Sequence, residues 1–329
     1  MKKIYLLFIL CLIVSTITAG GKKEENVTKI FPDSVRVAAF VGPSGIGMAR
    51  LFSQPPALTG VSNVSFEAAG SVDVLLPKLL NGDIDIGILP PNVAAKLYNV
   101  NPNSIVAGAI VGKGMLSIIT KDSTITSLED LAGKTVYVAG QGSTPEYVFR
   151  TLLAKHNLQD SVECNFSIPN PELAAALLSN KISYALVPEP FATVAVLNGA
   201  NSDKPVKRAI KLLDYWKASD FGEDFPMTLC VINSNFAKKY PETVKEFLTS
   251  YKEAIEWTVA NPVDAGALVE AVGLGLKAPI AAKAIPECNF AYIPAYEGKP
   301  MIEALLKTFL TFSPESVGGK LPDNGFYFK

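Results

Sequence analysis

The sequence predicts an α/β protein of two similar lobes, each organised around a parallel sheet. Short apolar segments alternate with helical segments along the chain, as in folds with parallel sheets. Residues 84–89 are almost continuously apolar, as in a parallel strand that is buried on both faces. The chain also contains an internal repeat, because residues 78–95 (KLLNGDIDIGILPPNVAA) align without a gap with residues 176–193 (ALLSNKISYALVPEPFAT).

A weaker match extends the repeat toward the N-terminus. Residues 35–52 align with residues 135–152, which places Gly42 over Gly142 and Arg50 over Arg150. Two generic β-α units can resemble each other by chance, but the ungapped match and its shared proline favour true internal symmetry. Two lobes that face each other form a cleft, and clefts between lobes are common ligand sites.

The elements of the first lobe follow one another in a regular order. Strands are predicted at residues 35–41, 65–69 and 84–89. A helix is predicted after each strand, at residues 46–52, 72–80 and 94–98. The second of these helices carries Leu75, Leu76, Leu79 and Leu80 on one face.

Two similar apolar segments are interpreted as the strands that cross between the lobes. Residues 105–120 predict two strands broken at a glycine turn, and residues 127–134 predict a short capped helix. The sequence MTLCVIN at 227–233 resembles MLSIITK at 115–121. The expected lobes are therefore residues 33–119 with 226–329, and residues 120–225. A hinge of two strands permits rigid-body closure on a ligand.

The remainder of the chain is predicted to be helical. Helices are expected at residues 241–259, 263–272, 279–285 and 299–312, packed back on the first lobe.

The N-terminus, residues 1–21, is predicted to be a secretory signal. Lys2 and Lys3 precede an apolar run that is too short to span a bilayer, and small residues follow it. We expect the chain to be exported and released on the periplasmic or other extracytoplasmic side of the membrane. The same segment resembles a lipoprotein signal with Gly21 at the position of the lipid-bearing cysteine, so a lipid-anchored natural form is an open alternative.

Charge and cysteine content exclude several classes of partner. The formal net charge is −1, so the chain lacks the excess of positive charge that is typical of nucleic-acid-binding proteins. Cys164, Cys230 and Cys288 follow the predicted signal without any CxxC spacing, so no metal site is expected. Cys230 and Cys288 could form a disulfide in an oxidising compartment, or all three could be packed as small apolar residues.

The candidate ligand residues lie in the loops that precede helices. In open α/β sheets such loops lie at the carboxyl ends of strands, where ligands bind. Free backbone N–H groups at helix starts suit anionic groups, although each loop is equally explained as a simple helix cap. The candidates are Ser44, Gly45, Gly70 and Ser71 in the first lobe, and Gln141, Gly142, Ser143 and Thr144 in the second.

Further candidates follow the two buried strands of the repeat. Asn92 and Glu189 lie at nearly equivalent places, and Glu189 is a candidate acceptor for a ligand N–H. Phe191 is either a stacking surface for a planar group or a residue of the helix core. Thr144 is expected to cap the helix that it begins. Tyr147 is a candidate cleft wall or a packing residue.

Signatures of catalysis are missing from the sequence. The single histidine, His156, ends a predicted helix, where favourable charge at the helix C-terminus explains it. The glycines at 42–47 and 140–142 do not have the dinucleotide-binding spacing. We therefore expect no catalytic residue, no cofactor and no metal.

Three segments together resemble one known family. They are SLEDLAGKTVYVAGQGSTPEYVFRTLL, ELAAALLSNKISYALVPEPFATVAV and VINSNFAKKYPETVKEFLTSYKEAIEWTVANP, and the PEPF motif at 188–191 is the most specific part. From residue 35 onward the chain resembles ABC-transporter substrate-binding proteins of the nitrate/sulfonate/taurine and thiamine-precursor (NMT1/THI5-like) family.

The resemblance implies a type II periplasmic-binding-protein fold that closes around one small molecule. It also implies delivery of that molecule to an ABC permease and its ATPase, with the ligand contacts in the loops named above. Nucleic acid is not an expected partner, and we expect a monomer. Two alternatives stay open: an enzyme on the same bilobal fold, of the pyrimidine or menaquinone pathway type, and a ligand sensor for a membrane receptor.

Overall fold

Two β-sheets organise the part of the chain that the structure, a computed structural model, describes, namely residues 30–329. The predicted secretory signal lies outside these residues. Within the described part, no helix combines the length and the apolar character that crossing a bilayer requires.

The first sheet has six strands. They are β1 (Ser34–Phe40), β2 (Asn63–Ala69), β3 (Ile86–Leu89), β4 (Ile105–Lys113), β10 (Pro226–Asn233) and β11 (Phe290–Pro294). Their spatial order is β11-β4-β10-β3-β1-β2. β1 pairs in parallel with β2 and β3, whereas β10 runs antiparallel to both of its neighbours.

The second sheet has five strands and repeats this arrangement. They are β5 (Leu116–Thr120), β6 (Thr135–Val138), β7 (Glu163–Asn165), β8 (Tyr184–Pro188) and β9 (Lys207–Lys211), in the spatial order β7-β6-β8-β5-β9. Position by position this order matches β2-β1-β3-β10-β4, so the predicted internal symmetry is confirmed. Both sheets are mixed and not wholly parallel, because β5 and β10 enter from the other half of the molecule and run antiparallel to their neighbours.

Helices follow the strands in both halves. The first sheet carries α1 (Pro43–Gly47), α2 (Ala49–Ser53), α3 (Val72–Asn81) and α4 (Pro91–Val100). The second carries α5 (Thr144–Lys155), α6 (Asn170–Leu178), α7 (Phe191–Gly199) and α8 (Leu212–Ala218). The C-terminal part contains α9 (Ser234–Lys239), α10 (Pro241–Ala260), α11 (Pro262–Ala271), α12 (Ala278–Ala284) and α13 (Lys299–Phe312).

Most predicted elements are confirmed, and three differ. The helix expected at 46–52 is divided into α1 and α2, and the capped helix at 127–134 is only a 3-10 turn at Glu129–Leu131. The C-terminal part was expected to be helical throughout, but it contains the edge strand β11. All five residues of β11 are half-buried, so the strand lacks the alternation that identifies a strand from sequence.

The continuous apolar runs arise because both faces of each sheet are covered. Along β10, Leu229 and Val231 belong to the core that includes residues of α4 and α13, while Cys230 and Ile232 belong to the core that includes residues of α10. All four side chains are fully buried. Burying an aliphatic side chain of this size contributes about 1.5–3 kcal/mol, so both covering layers stabilise the strand.

One carboxylate joins the two places where the chain passes between the sheets. The Asp224 carboxylate accepts hydrogen bonds from the Gly114 backbone N–H at 2.9 Å and from Asn289 Nδ2 at 3.0 Å, and it forms a salt bridge with Lys113 at 3.1 Å. Gly114 lies in the outbound crossing between β4 and β5, and Asp224 lies in the return crossing before β10. A Cβ atom on Gly114 would approach Asp224 Oδ1 to 2.9 Å, so glycine is needed for this contact.

Replacing Asp224 by alanine should destabilise the protein. The change leaves the Gly114 N–H without its acceptor and removes the counter-charge of Lys113, so we expect the free energy of unfolding to fall by about 2–4 kcal/mol. Urea denaturation measures the effect. Glu223→Ala is the control, because Glu223 is the exposed neighbour. Equal unfolding midpoints for the two variants would contradict this account.

Candidate ligand-binding cleft

The loops of the two sheets meet at Asn92 and Gly142. Asn92 lies in the first turn of α4, directly after β3, and Gly142 lies between β6 and α5. Asn92 Nδ2 donates a hydrogen bond to the Gly142 carbonyl oxygen at 2.9 Å. Because a carbonyl oxygen only accepts, this bond defines the orientation of the amide and leaves Asn92 Oδ1 as a free acceptor.

Three helix starts carry buried polar atoms without a partner, and two of them, those of α4 and α5, adjoin this contact. The three atoms are Asn92 Oδ1 in α4, Thr144 Oγ1 in α5 and Asn170 Oδ1 in α6. These helices follow β3, β6 and β7, at the carboxyl ends where open α/β sheets bind ligands. An unpaired buried polar group costs about 1–3 kcal/mol, so its presence needs an explanation. A bound molecule that pairs with these atoms supplies one.

The loop before α5 is held in shape by Glu146. Glu146 Oε2 accepts the Gly142 backbone N–H at 2.7 Å, and Oε1 accepts Arg150 Nε at 2.8 Å. Thr144 was expected to cap this helix, but it is already the first helical residue, and Ser143 precedes it. The Ser143 hydroxyl instead donates to the Gly140 carbonyl oxygen at 2.6 Å. No side chain caps the start of α5, and Glu146 instead holds the loop that precedes it.

The other loop candidates differ in their exposure. Ser44 and Gly45 are buried at the start of α1, and Ser44 Oγ accepts the Phe40 backbone N–H at 3.0 Å. Gly70 and Ser71 are exposed before α3, and Gln141 is exposed beside Gly142.

The candidate acceptor Glu189 has its partners within the protein. Its Oε2 accepts the backbone N–H and the hydroxyl of Thr193, at 3.0 Å and 2.7 Å, and its Oε1 accepts Arg208 Nε at 2.7 Å. Glu189 is only 2% exposed. Arg208 lies in β9, far from the motif in sequence, so no local signal could have identified it. Phe191 is half-buried and packs against the core between α6 and α7 and the second sheet.

A cavity of about 660 Å³ adjoins the contact between Asn92 and Gly142. Both residues line it, together with Tyr147 and apolar side chains of α3 and α4. Tyr147 is also a packing residue, since its ring lies 4.9 Å from that of Phe309 in α13. The leucines on one face of α3 were the sequence signal for this wall. Leu75 and Leu79 are fully buried in the core, whereas Leu76 lines the cavity.

The three described cysteines are free thiols of low reactivity. Cys164, Cys230 and Cys288 are all free, so the alternative of a disulfide between Cys230 and Cys288 is not realised. Burial raises the pKa of the Cys164 thiol to about 11 and raises the pKa of Cys230 and Cys288 as well. Neutral thiols are poor nucleophiles. Among residues 30–329 no cluster of ligating side chains is present that could hold a metal ion.

Comparison with solved structures identifies the class of fold. The structure of an ABC transporter from Parabacteroides distasonis is similar, with a TM-score of 0.77 and 24% identity over 91% of this chain and 99% of that chain. The periplasmic aliphatic sulphonate binding protein SsuA from Escherichia coli is similar with a TM-score of 0.70 and 16% identity, over 91% and 93% of the chains. The fold is therefore the type II periplasmic-binding-protein fold, as predicted.

The chain belongs to the NMT1/THI5-like family. The family model matches residues 67–265, which is more than half of the 329 residues. The periplasmic nitrate-binding protein NrtA from Synechocystis PCC 6803 shares the fold with a TM-score of 0.63 and 13% identity, over 87% and 84% of the chains. No curated protein matches the sequence significantly.

Replacing Glu146 by alanine should loosen the loop before α5. The Gly142 N–H loses its acceptor, so we expect faster exchange of that amide hydrogen and a loss of about 1–3 kcal/mol in the free energy of unfolding. Hydrogen exchange and urea denaturation measure the two effects. Glu172→Ala is the matched control, because Glu172 is an exposed acid in the first turn of α6. The role of Glu146 is refuted if the Gly142 amide hydrogen exchanges at the same rate in both variants.

Proposed function

We propose that this protein is the solute-binding component of an ABC importer. It captures one small molecule between its two halves and delivers it to a permease and ATPase complex at the membrane. The observation that carries the proposal is the meeting of Asn92 and Gly142 from opposite sheets, with unpaired polar atoms at the helix starts beside them. A ligand that pairs with such atoms on both sides stabilises the closed arrangement.

The proposed mechanism is a shift between open and closed conformations. A ligand that contacts both halves binds the closed state more tightly, so it increases the population of that state. Closure moves residues 120–225 against residues 33–119 and 226–329. The permease recognises the closed form. No bond of the ligand is made or broken, so the role is one of binding and not of catalysis.

The proposed contacts are those of the loops at the carboxyl ends of the strands. Asn92 and Thr144 contribute side-chain atoms that lack a partner in the protein. The other proposed contacts are Ser44, Gly45, Gly70, Ser71, Gln141, Gly142, Ser143, Glu189 and Phe191. For Glu189 and Phe191 the proposed contribution is to the wall of the cleft, since the Glu189 carboxylate oxygens already have partners.

The comparisons support the proposal in two ways. The chain belongs to the NMT1/THI5-like family, and structures with its fold include proteins described as binding aliphatic sulphonate and nitrate. We propose export by the N-terminal segment 1–21 and a place of action on the extracytoplasmic side of the membrane. A lipid anchor in the natural form would require a cysteine where Gly21 stands.

Mass spectrometry of the small molecule that co-purifies with the full chain tests the proposal. The compound released by denaturation should rebind, and X-ray scattering in solution should show a decrease in the radius of gyration on rebinding. Recovery of the compound chemically unchanged is expected. Chemical conversion of the compound by the protein, or rebinding without compaction, would overturn the proposed role.

Replacing Thr144 by valine should raise stability and lower affinity at the same time. Thr144 is 1% exposed and its hydroxyl has no partner, so removal of the hydroxyl should stabilise the unliganded protein by about 1 kcal/mol. Loss of a hydrogen bond to the ligand should weaken binding about tenfold. Thermal unfolding and calorimetric titration with the co-purified compound measure the two effects.

Thr151→Val is the matched control for this variant. Thr151 lies on the same helix, is also buried, and also has an unpaired hydroxyl, but it is about 10 Å farther along α5. It should give a similar gain in stability with unchanged affinity. Equal affinities of the two variants would exclude Thr144 from the ligand site.

A further inference from the structure

An apolar groove runs between α3 and α4 and opens into the cleft. This α3–α4 groove accounts for the cavity of about 660 Å³ and is lined by Val72, Leu76 and Leu80 of α3 and by Val93, Leu97 and Val100 of α4. Leu80 is 44% exposed and Val100 is 76% exposed. Single exposed apolar residues need no explanation, but a contiguous apolar groove of this volume has the size and lining of a small-molecule site.

The inner end of the groove holds a free hydrogen-bond acceptor. Asn92 lines the groove, is 2% exposed, and has no partner for Oδ1. Gly142 and Tyr147 line the same end from the second sheet. A molecule in the groove therefore touches both halves of the protein. It also satisfies the buried acceptor if it carries an O–H or N–H group at this end.

The charges along the groove do not favour an anion. Among the described lining residues Lys96 and Glu315 are the charged ones, and their signs are opposite. The pKa of the Glu315 carboxyl is lowered mainly by its hydrogen bond from Ser313, with a smaller effect of the positive charge of Lys96. Because the two charges are opposite and the other polar lining residues, Asn101, Ser104, Ser313 and Ser316, are neutral, the apolar side chains of α3 and α4 are the main basis for selecting the ligand.

We propose that the α3–α4 groove is a ligand subsite for an uncharged molecule with an apolar body and one hydrogen-bond donor. The apolar body lies between α3 and α4, and the donor bonds to Asn92 Oδ1. This inference rests on the proposed function and narrows its substrate class. It separates this chain from the proteins of the same fold that are described as binding nitrate or sulphonate.

Three probes that share a naphthalene ring system and differ in one substituent test the class of ligand. They are 2-naphthol, which has a donor, 2-methoxynaphthalene, which lacks one, and 2-naphthalenesulfonate, which is an anion. Calorimetric titration of the ligand-free full chain should give 2-naphthol at least about tenfold tighter binding than either of the others. No saturable binding of 2-naphthol, or tighter binding of the sulfonate, would overturn the proposal.

Two variants test whether 2-naphthol binds in the α3–α4 groove. Leu76→Trp fills the groove and should weaken 2-naphthol binding at least about tenfold. Val74→Trp is the matched control, because Val74 is 51% exposed on the same helix and does not line the groove. Circular dichroism melting should show both variants folded. Equal affinity of the two variants would place the probe elsewhere and refute the subsite.

The substitution Asn92→Leu tests separately the hydrogen bond between the ligand donor and Asn92 Oδ1. The ratio of the affinities for 2-naphthol and 2-methoxynaphthalene should fall from at least about ten to about one, whatever the variant does to closure. An unchanged ratio would refute the role of Asn92 Oδ1. The failure of this subsite differs from a failure of the proposed function. In the first case the co-purified compound still compacts the protein when it binds to the Leu76→Trp variant, and in the second case it compacts neither this variant nor the wild type.

Discussion

The arrangement of the two halves depends on the Asp224 carboxylate. It binds the backbone of the outbound crossing at Gly114 and the side chain of Asn289, while it belongs to the return crossing itself. Beyond each crossing the chain enters an interior position of the other sheet, as β5 or as β10. A local contact at the crossings therefore influences how the loops at the strand ends face each other. In the proposed function, closure of the cleft is a rotation about these two segments that leaves both cores intact.

Buried polar groups near the cleft differ in whether the protein supplies their hydrogen-bond partners. Arg208 and Thr193 satisfy the buried Glu189 carboxylate, and Glu146 satisfies the Gly142 N–H. Asn92 Oδ1 and Thr144 Oγ1 have no such partners. Each unpaired atom reduces the stability of the unliganded protein, and the same atom contributes affinity once a ligand pairs with it. In the proposed function these two atoms lower the stability of the unliganded protein and raise the affinity for the ligand, although unpaired buried atoms such as Trp216 Nε1 also occur in the core.

Much of the fold was predictable because it follows from local sequence patterns, such as apolar runs and the internal repeat. Apolar runs and the internal repeat predicted most of the strands that build the two sheets, whereas β7, β9 and β11 were not predicted. β11 was missed because its residues are uniformly half-buried at a sheet edge. The site was less predictable. The loop residues were predicted from their positions before helices, but the pairing of Glu189 with Arg208, 19 positions along the chain, has no signature in either segment.

The sequence by itself indicated the class of fold, because periodicity, glycine and proline turns and the repeat are properties of contiguous residues. The family came from the resemblance of three segments and from the family model. Only the tertiary structure decided which polar groups already have partners. Hydrogen bonding is short-ranged and directional, so one side chain becomes a structural group and its neighbour a free acceptor according to what the fold brings within about 3 Å. That distinction separates Glu189 from Asn92, although the repeat places them at nearly equivalent positions.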